Sequence, residues 1–128
     1  MLDYRIELAR SGDVQALRSL LVDFGRWSRQ GAFCRGWGYP RTPEAVCIDD
    51  ESAQAVDKAV GVLKRSKRRN AWRAFAMWYL GGNGDPRELA LEMRMGRTVR
   101  GCRRADALTA QVVMALVEAG EQIVMEAL

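Results

Sequence analysis

Six side chains in the last third of the chain are of the types and spacing that grip phosphate: Arg94, Arg97, Thr98, Arg100, Arg103 and Arg104. A guanidinium carries a rigid fork of donors that fits a phosphate or the edge of a guanine, and a threonine hydroxyl bonds phosphate oxygen near a helix start. Steps of three put Arg97, Arg100 and the Arg103/Arg104 pair on one broad face, provided the segment is helical. A second basic set lies upstream: Lys64, Arg65, Lys67, Arg68, Arg69 and Arg73. Residues 64 to 104 hold twelve basic groups against three acidic ones, a net of +9, and the rest of the chain sums to −5 within a total of +4. One third of the molecule therefore holds the positive field, as expected of a phosphate-facing side.

Other chemistry is poorly served. The chain has no histidine, which removes Ser-His-Asp and Cys-His catalysis, the imidazole base and every zinc site that uses histidine. The three cysteines, Cys34, Cys47 and Cys102, form no Cys-x-x-Cys pair, and their odd number and irregular spacing read as reduced and cytosolic. Asp49, Asp50 and Glu51 could be drawn as a metal-dependent nuclease site, but acids at a helix start serve its dipole more often. The expectation is no enzyme, no metal and no cofactor.

The elements that must position the basic groups read as helices. Asp85 can cap a short helix, Pro86 suits its first position, and Glu88 stands three after the cap. Leu89, Ala90 and Met93 give that helix an apolar face. Gly96 falls in a turn, and the arginine-rich segment follows around Val99 and Cys102. This is the outline of a helix-turn-helix over 70–105, whose second helix would enter a major groove. The spacing from Ala90 to Val99 is one residue shorter than the common pattern, which calls for a tighter turn.

Upstream, Val14, Leu17, Leu20, Leu21, Phe24 and Trp27 predict a helix over 13–30, and residues 2–10 a short first helix or a mobile lead-in. Asp49 or Asp50 caps a helix through Ala53, Val56, Ala59, Val60 and Leu63. Asn70 caps a helix over 71–80 that is dense in Trp72, Phe75, Trp78 and Tyr79, with Gly81 past its end. Beyond the arginines the helical period persists through Val112, Val113, Leu116, Ala119, Ile123 and Val124. The second helix is thus expected to run on to about 127, with Gly101 and Gly120 as weak points, and its distal half to pack on helix 13–30 or to offer an apolar stripe to a partner or a second copy. Residues 31–49 have no period. Phe33, Trp37 and Tyr39 must either pin that loop to the core or form a partner surface.

At 128 residues and 48% hydrophobic, the chain is expected to be a single all-α domain. Its apolar runs are too short for a membrane span, and Asp3, Arg5 and Glu7 argue against a secretory signal.

The order of these features resembles the late-gene antitermination protein Q family of lambdoid-type phages and prophages, in its zinc-free branch. The resemblance rests on Trp27, then Gly36-Trp37-Gly38-Tyr39-Pro40, the acid-rich start of the helix at 50–63, Trp78-Tyr79 with Gly81-Gly82, and Glu88-Leu89-Ala90, Thr98-Val99-Arg100 and Arg104-Ala105. It covers roughly residues 14 to 117. It implies a helix-turn-helix like that of sigma factor region 4, double-stranded DNA at a late promoter as one partner, and a paused bacterial RNA polymerase, with its sigma factor, as another. It further implies read-through of pauses and terminators at the RNA exit channel, beside nascent RNA, in the cytoplasm of a bacterial host. In that setting Lys64, Arg65, Lys67, Arg68, Arg69 and Arg73 become phosphate, polymerase or RNA contacts. The alternative that shares every helix-turn-helix feature is a DNA-binding regulator acting at initiation only.

Overall fold

The stripe on residues 14–27 decides the first large element. In the computed structural model it forms α2 (Val14–Ala32), with Leu17, Leu20, Leu21 and Phe24 buried and Trp27 half-buried, while Val14 turns outward. The structure describes residues 2–32, 47–82, 84–95, 97–99, 102–104 and 107–128, and of 30–32, 97–99, 102–104, 107 and 108 the backbone alone. The loop aromatics Phe33, Trp37 and Tyr39, together with Gly96, Arg100 and Gly101, lie outside the described residues.

Residues 4–10 are not a loose lead-in. They form α1 (Tyr4–Arg10), capped by Asp3, whose carboxylate accepts from the Arg5 amide, and Ile6 and Ala9 are fully buried. Arg5 ties this helix down. Its guanidinium meets Asp3 at 2.7 Å and Asp23 at 2.6 Å and donates to Ser19 and to the Cys47 carbonyl.

The acids at 49–51 open α3 (Asp50–Arg65), as the dipole argument expects. Asp49 accepts from the Ser52 amide at 3.1 Å, and Asp50 accepts from the Trp27 indole at 2.9 Å. Ser52 holds the Asp49 carboxyl below its ordinary range through these hydrogen bonds. Val56, Val60 and Leu63 bury the opposite face.

The expected helix over 71–80 is two unlike pieces. The first is α4 (Arg69–Phe75), preceded by Arg68 with no side-chain cap, so Asn70 lies inside the helix rather than capping it. The second is a π-helical turn (Ala76–Leu80), closed by the Gly81 amide reaching back five residues to the Ala76 carbonyl at 2.8 Å. Gly81 keeps ordinary right-handed angles. Gly82 is the one of the two in the left-handed region, at φ +71°. This turn lies tightly on α2: a Cβ at Gly25 would run into the Tyr79 carbonyl oxygen.

The short helix forms where its signals put it. In α5 (Pro86–Glu92) Asp85 accepts from the Arg87 amide at 3.0 Å, Pro86 takes the first turn, and Leu89 and Ala90 are buried. The second helix of the expected helix-turn-helix does not follow. Arg97–Val99 and Cys102–Arg104 form an antiparallel strand pair, β1 and β2, in register Arg97 opposite Arg104, Thr98 opposite Arg103 and Val99 opposite Cys102. The reasons are local. Thr98 and Val99 are β-branched and favour extended backbone, and glycines at 96 and 101 weaken a helix on both sides.

The C-terminal helix therefore starts afresh as α6 (Ala107–Ala127) rather than running on from the arginines. It does not pack chiefly on α2 either. Its apolar face, Val113, Val117 and Val124, lies against α3, α4 and α5. Gly120 is there for closeness: a Cβ would sit 3.0 Å from Phe75 and 3.1 Å from Leu63. The tie to α2 is polar. Glu121, 4% exposed, takes Arg18 Nε at 2.9 Å and the Tyr79 hydroxyl at 3.2 Å. Burial first, then the neighbouring Glu121 charge, pushes the Tyr79 phenol well above its ordinary range. The fold is all-α with a long C-terminal helix. Among the described residues no helix is long and apolar enough to cross a membrane.

Candidate nucleic-acid interface

The upstream basic set sits on the corner between α3 and α4. Ser66 makes that corner: its amide and hydroxyl both donate to the Leu63 carbonyl, and its oxygen accepts from the Arg68 amide at 3.3 Å. Lys67 and Arg68 are thereby held between two helix ends. Lys64, Arg65, Lys67, Arg68, Arg69 and Arg73 are all exposed, and among the described residues none of them forms an ion pair. Lys64 and Arg65 have a structural use, since they complement the negative end of α3. Lys67, Arg68 and Arg69 have none of that kind. Together with Asn70 they edge a groove of about 540 Å³ whose remaining lining is Ala71, Leu116 and Ala119. A row of unpaired cations along a small-residue groove on α6 can take a phosphate backbone without first breaking internal bonds.

The downstream set is divided by the fold. Arg94 ends α5 in the left-handed region, at φ +59°. The Met95 amide donates to the Ala90 carbonyl and the Arg94 amide to the Leu91 carbonyl, both at 2.9 Å, so the helix closes on a Schellman turn whose left-handed place is usually glycine. An arginine there costs about 1 kcal/mol, and it is exposed. The backbone of Arg97, Thr98, Arg103 and Arg104 lies on the two strands, so these residues do not share a helical face. A two-stranded ribbon is itself narrow enough to enter a major groove.

The two sets are held by different helices: β2 packs against α5, and the corner meets α6 at Leu116 and Ala119.

One feature escaped the sequence reading. The crossing of α2 with the π turn leaves a cavity of about 330 Å³ bordered by Val22, Arg26, Arg29, Trp78, Tyr79, Gly82 and Gly84. Arg29 Nη1 donates to the Tyr79 carbonyl at 3.0 Å and the Leu80 carbonyl at 3.3 Å. The only signals in the sequence were Trp78 beside a glycine run and arginines at 26 and 29, which cannot be joined without knowing the crossing. Set against known proteins, the chain matches no family model, no curated protein and no solved structure.

Proposed function

We propose that this chain is a nucleic-acid-binding transcription factor whose task is antitermination. The observation that carries the binding half is the α3–α4 corner, where Lys67, Arg68 and Arg69 are exposed, unpaired and set along a groove on α6. The antitermination half is supported by the order of motifs that resembles the zinc-free Q family. In this reading the arginine-bearing ribbon of Arg97, Thr98, Arg103 and Arg104, with Arg94 at its foot, contacts promoter DNA as a ribbon and not as a recognition helix. The corner grips a second stretch of phosphate backbone or a polymerase surface. The complex then stays with the transcribing enzyme and hinders terminator hairpins at the exit channel.

Single-round transcription across an intrinsic terminator, from a late promoter of the chain's own genome, tests this. More full-length RNA in the presence of the protein is the expected result. Unchanged termination with a positive promoter footprint would leave a regulator of initiation only, and no footprint would remove the DNA partner.

A further inference from the structure

The cavity between α2 and the π turn has chemistry of its own. Six residues meet there: Trp78 with its half-buried ring, Val22 with its apolar side chain, Arg26 and Arg29 with their guanidinium groups, and two glycines, Gly82 and Gly84, that add no side chain. Gly82 is pinned twice. Its φ is +71°, and a Cβ would come within 3.2 Å of the Arg29 guanidinium.

Two polar groups here have capacity to spare. Trp78 donates its indole N–H to nothing among the described residues, whereas Trp27 donates to Asp50. Arg26 forms one ion pair among them, with Asp23 at 3.6 Å, and the other oxygen of that carboxylate is already held by Arg5 at 2.6 Å. A guanidinium has five donors, so most of those on Arg26 are uncommitted.

The combination narrows the ligand. An inorganic anion would use the guanidiniums and at most the indole N–H, and leave the face of the ring idle. An apolar ligand would use the ring and cut water off from the uncommitted donors of Arg26, which is costly. A planar ring joined to a phosphate uses both: the base stacks on the indole and the phosphate meets Arg26 beside Arg29. A base inside a duplex is already stacked and cannot present its face. We propose that this cavity binds one unpaired nucleotide of a single-stranded nucleic acid, with Trp78 as stacking platform and Arg26 as phosphate contact. This is a site apart from the basic corner and does not rest on the reading given for it.

The test is fluorescence anisotropy of labelled twelve-residue oligouridine with the full chain at 150 mM salt. Arg26→Gln is expected to weaken binding roughly five-fold and Trp78→Leu roughly ten-fold, with Trp78→Phe in between, because any aromatic face retains part of the stack. Thermal melting of each variant separates lost contact from lost fold; Arg26 is half-buried and its one ion pair, with Asp23, is long at 3.6 Å, so little stability should be lost in its variant. Competition by millimolar uridine monophosphate would show that a free nucleotide suffices; competition by unlabelled oligomer alone would assign the site to a strand. Binding by Arg26→Gln within two-fold of the parent overturns the proposal, whatever Trp78→Leu does. Duplex DNA binding is measured in parallel. The three cavity variants should leave it unchanged and Lys67, Arg68 and Arg69 variants should lower it, so each reading can fail alone.

Discussion

The arginines of α1 and α2 and those of the α3–α4 corner are the same residue in opposite surroundings. Arg5 is buried between Asp3 and Asp23, Arg18 reaches the buried Glu121, and Arg29 covers two carbonyls of the π turn. Each replaces water with protein oxygen at short range. Asp3 and Asp23 hold the Arg5 guanidinium above its ordinary range, and Glu121 does the same for Arg18. Lys67, Arg68 and Arg69 are exposed and form no ion pair among the described residues. The first group is part of the fold. The second is a charge the fold displays and does not use, and this makes it the place to look for a partner.

That contrast can be broken by substitution, beginning where the effect on stability should be largest. Arg5→Ala leaves two carboxylates facing each other in a nearly dry site and should cost about 3 kcal/mol in chemical denaturation. Acid should produce a related loss. Arg5 lowers the folded-state pKa of Asp3, so its contribution is complete above the unfolded value near 4 and is lost as pH falls through the lower folded value. A melting temperature that is flat from pH 5 down to pH 2 would contradict the ion network.

Gly25→Ala should cost about 1–3 kcal/mol, because a methyl group there meets the Tyr79 carbonyl and α2 or the π turn must shift. Tyr79→Phe should cost about 1 kcal/mol, since Glu121 loses a buried donor. The parent should also weaken in base. The folded phenol titrates above the unfolded one, so its contribution is full below about pH 10 and disappears as pH climbs through the folded value. The phenylalanine variant should lack that alkaline limb in a pH series of melts.

Arg94→Gly has the opposite sign. Relief of left-handed backbone should raise stability by up to about 1 kcal/mol, while one exposed charge beside the ribbon is removed. A melting temperature lower than the parent's would mean that the Arg94 side chain supports the turn. Smallest of all, K67Q, R68Q and R69Q combined should change stability by less than about 0.5 kcal/mol, and a larger loss would move these residues into the structural group.

Much of the fold was legible because its signals were local. The stripe on 14–27, the acid cap at Asp49 and the Asp85-Pro86 start each need only neighbours in sequence, and each forms. The ribbon is not legible in the arginines, because steps of three make a common face only on a backbone that is already helical. Thr98-Val99 and the flanking glycines argued for extended chain, and the Ala90-to-Val99 spacing, one residue short for the helical pattern, pointed the same way. The π turn was not legible, since it answers to Gly25 and Glu121 on other helices. The basic corner was legible as a charge run. Whether its members were paired was not, because an ion pair joins residues far apart in sequence, as Arg18 and Glu121 do.

The measurement closest to the central claim is the salt dependence of duplex DNA binding for three proteins: the parent, the K67Q/R68Q/R69Q triple variant and Arg18→Gln. Each phosphate contact adds about 0.9 to the slope of log affinity against log salt. The triple variant should therefore lose roughly 2–3 units of slope at unchanged melting temperature. Arg18→Gln should melt lower and keep the parent's slope. Equal slopes for the parent and the triple variant would contradict the account, because the unpaired charges of the corner would then not be the surface that meets nucleic acid.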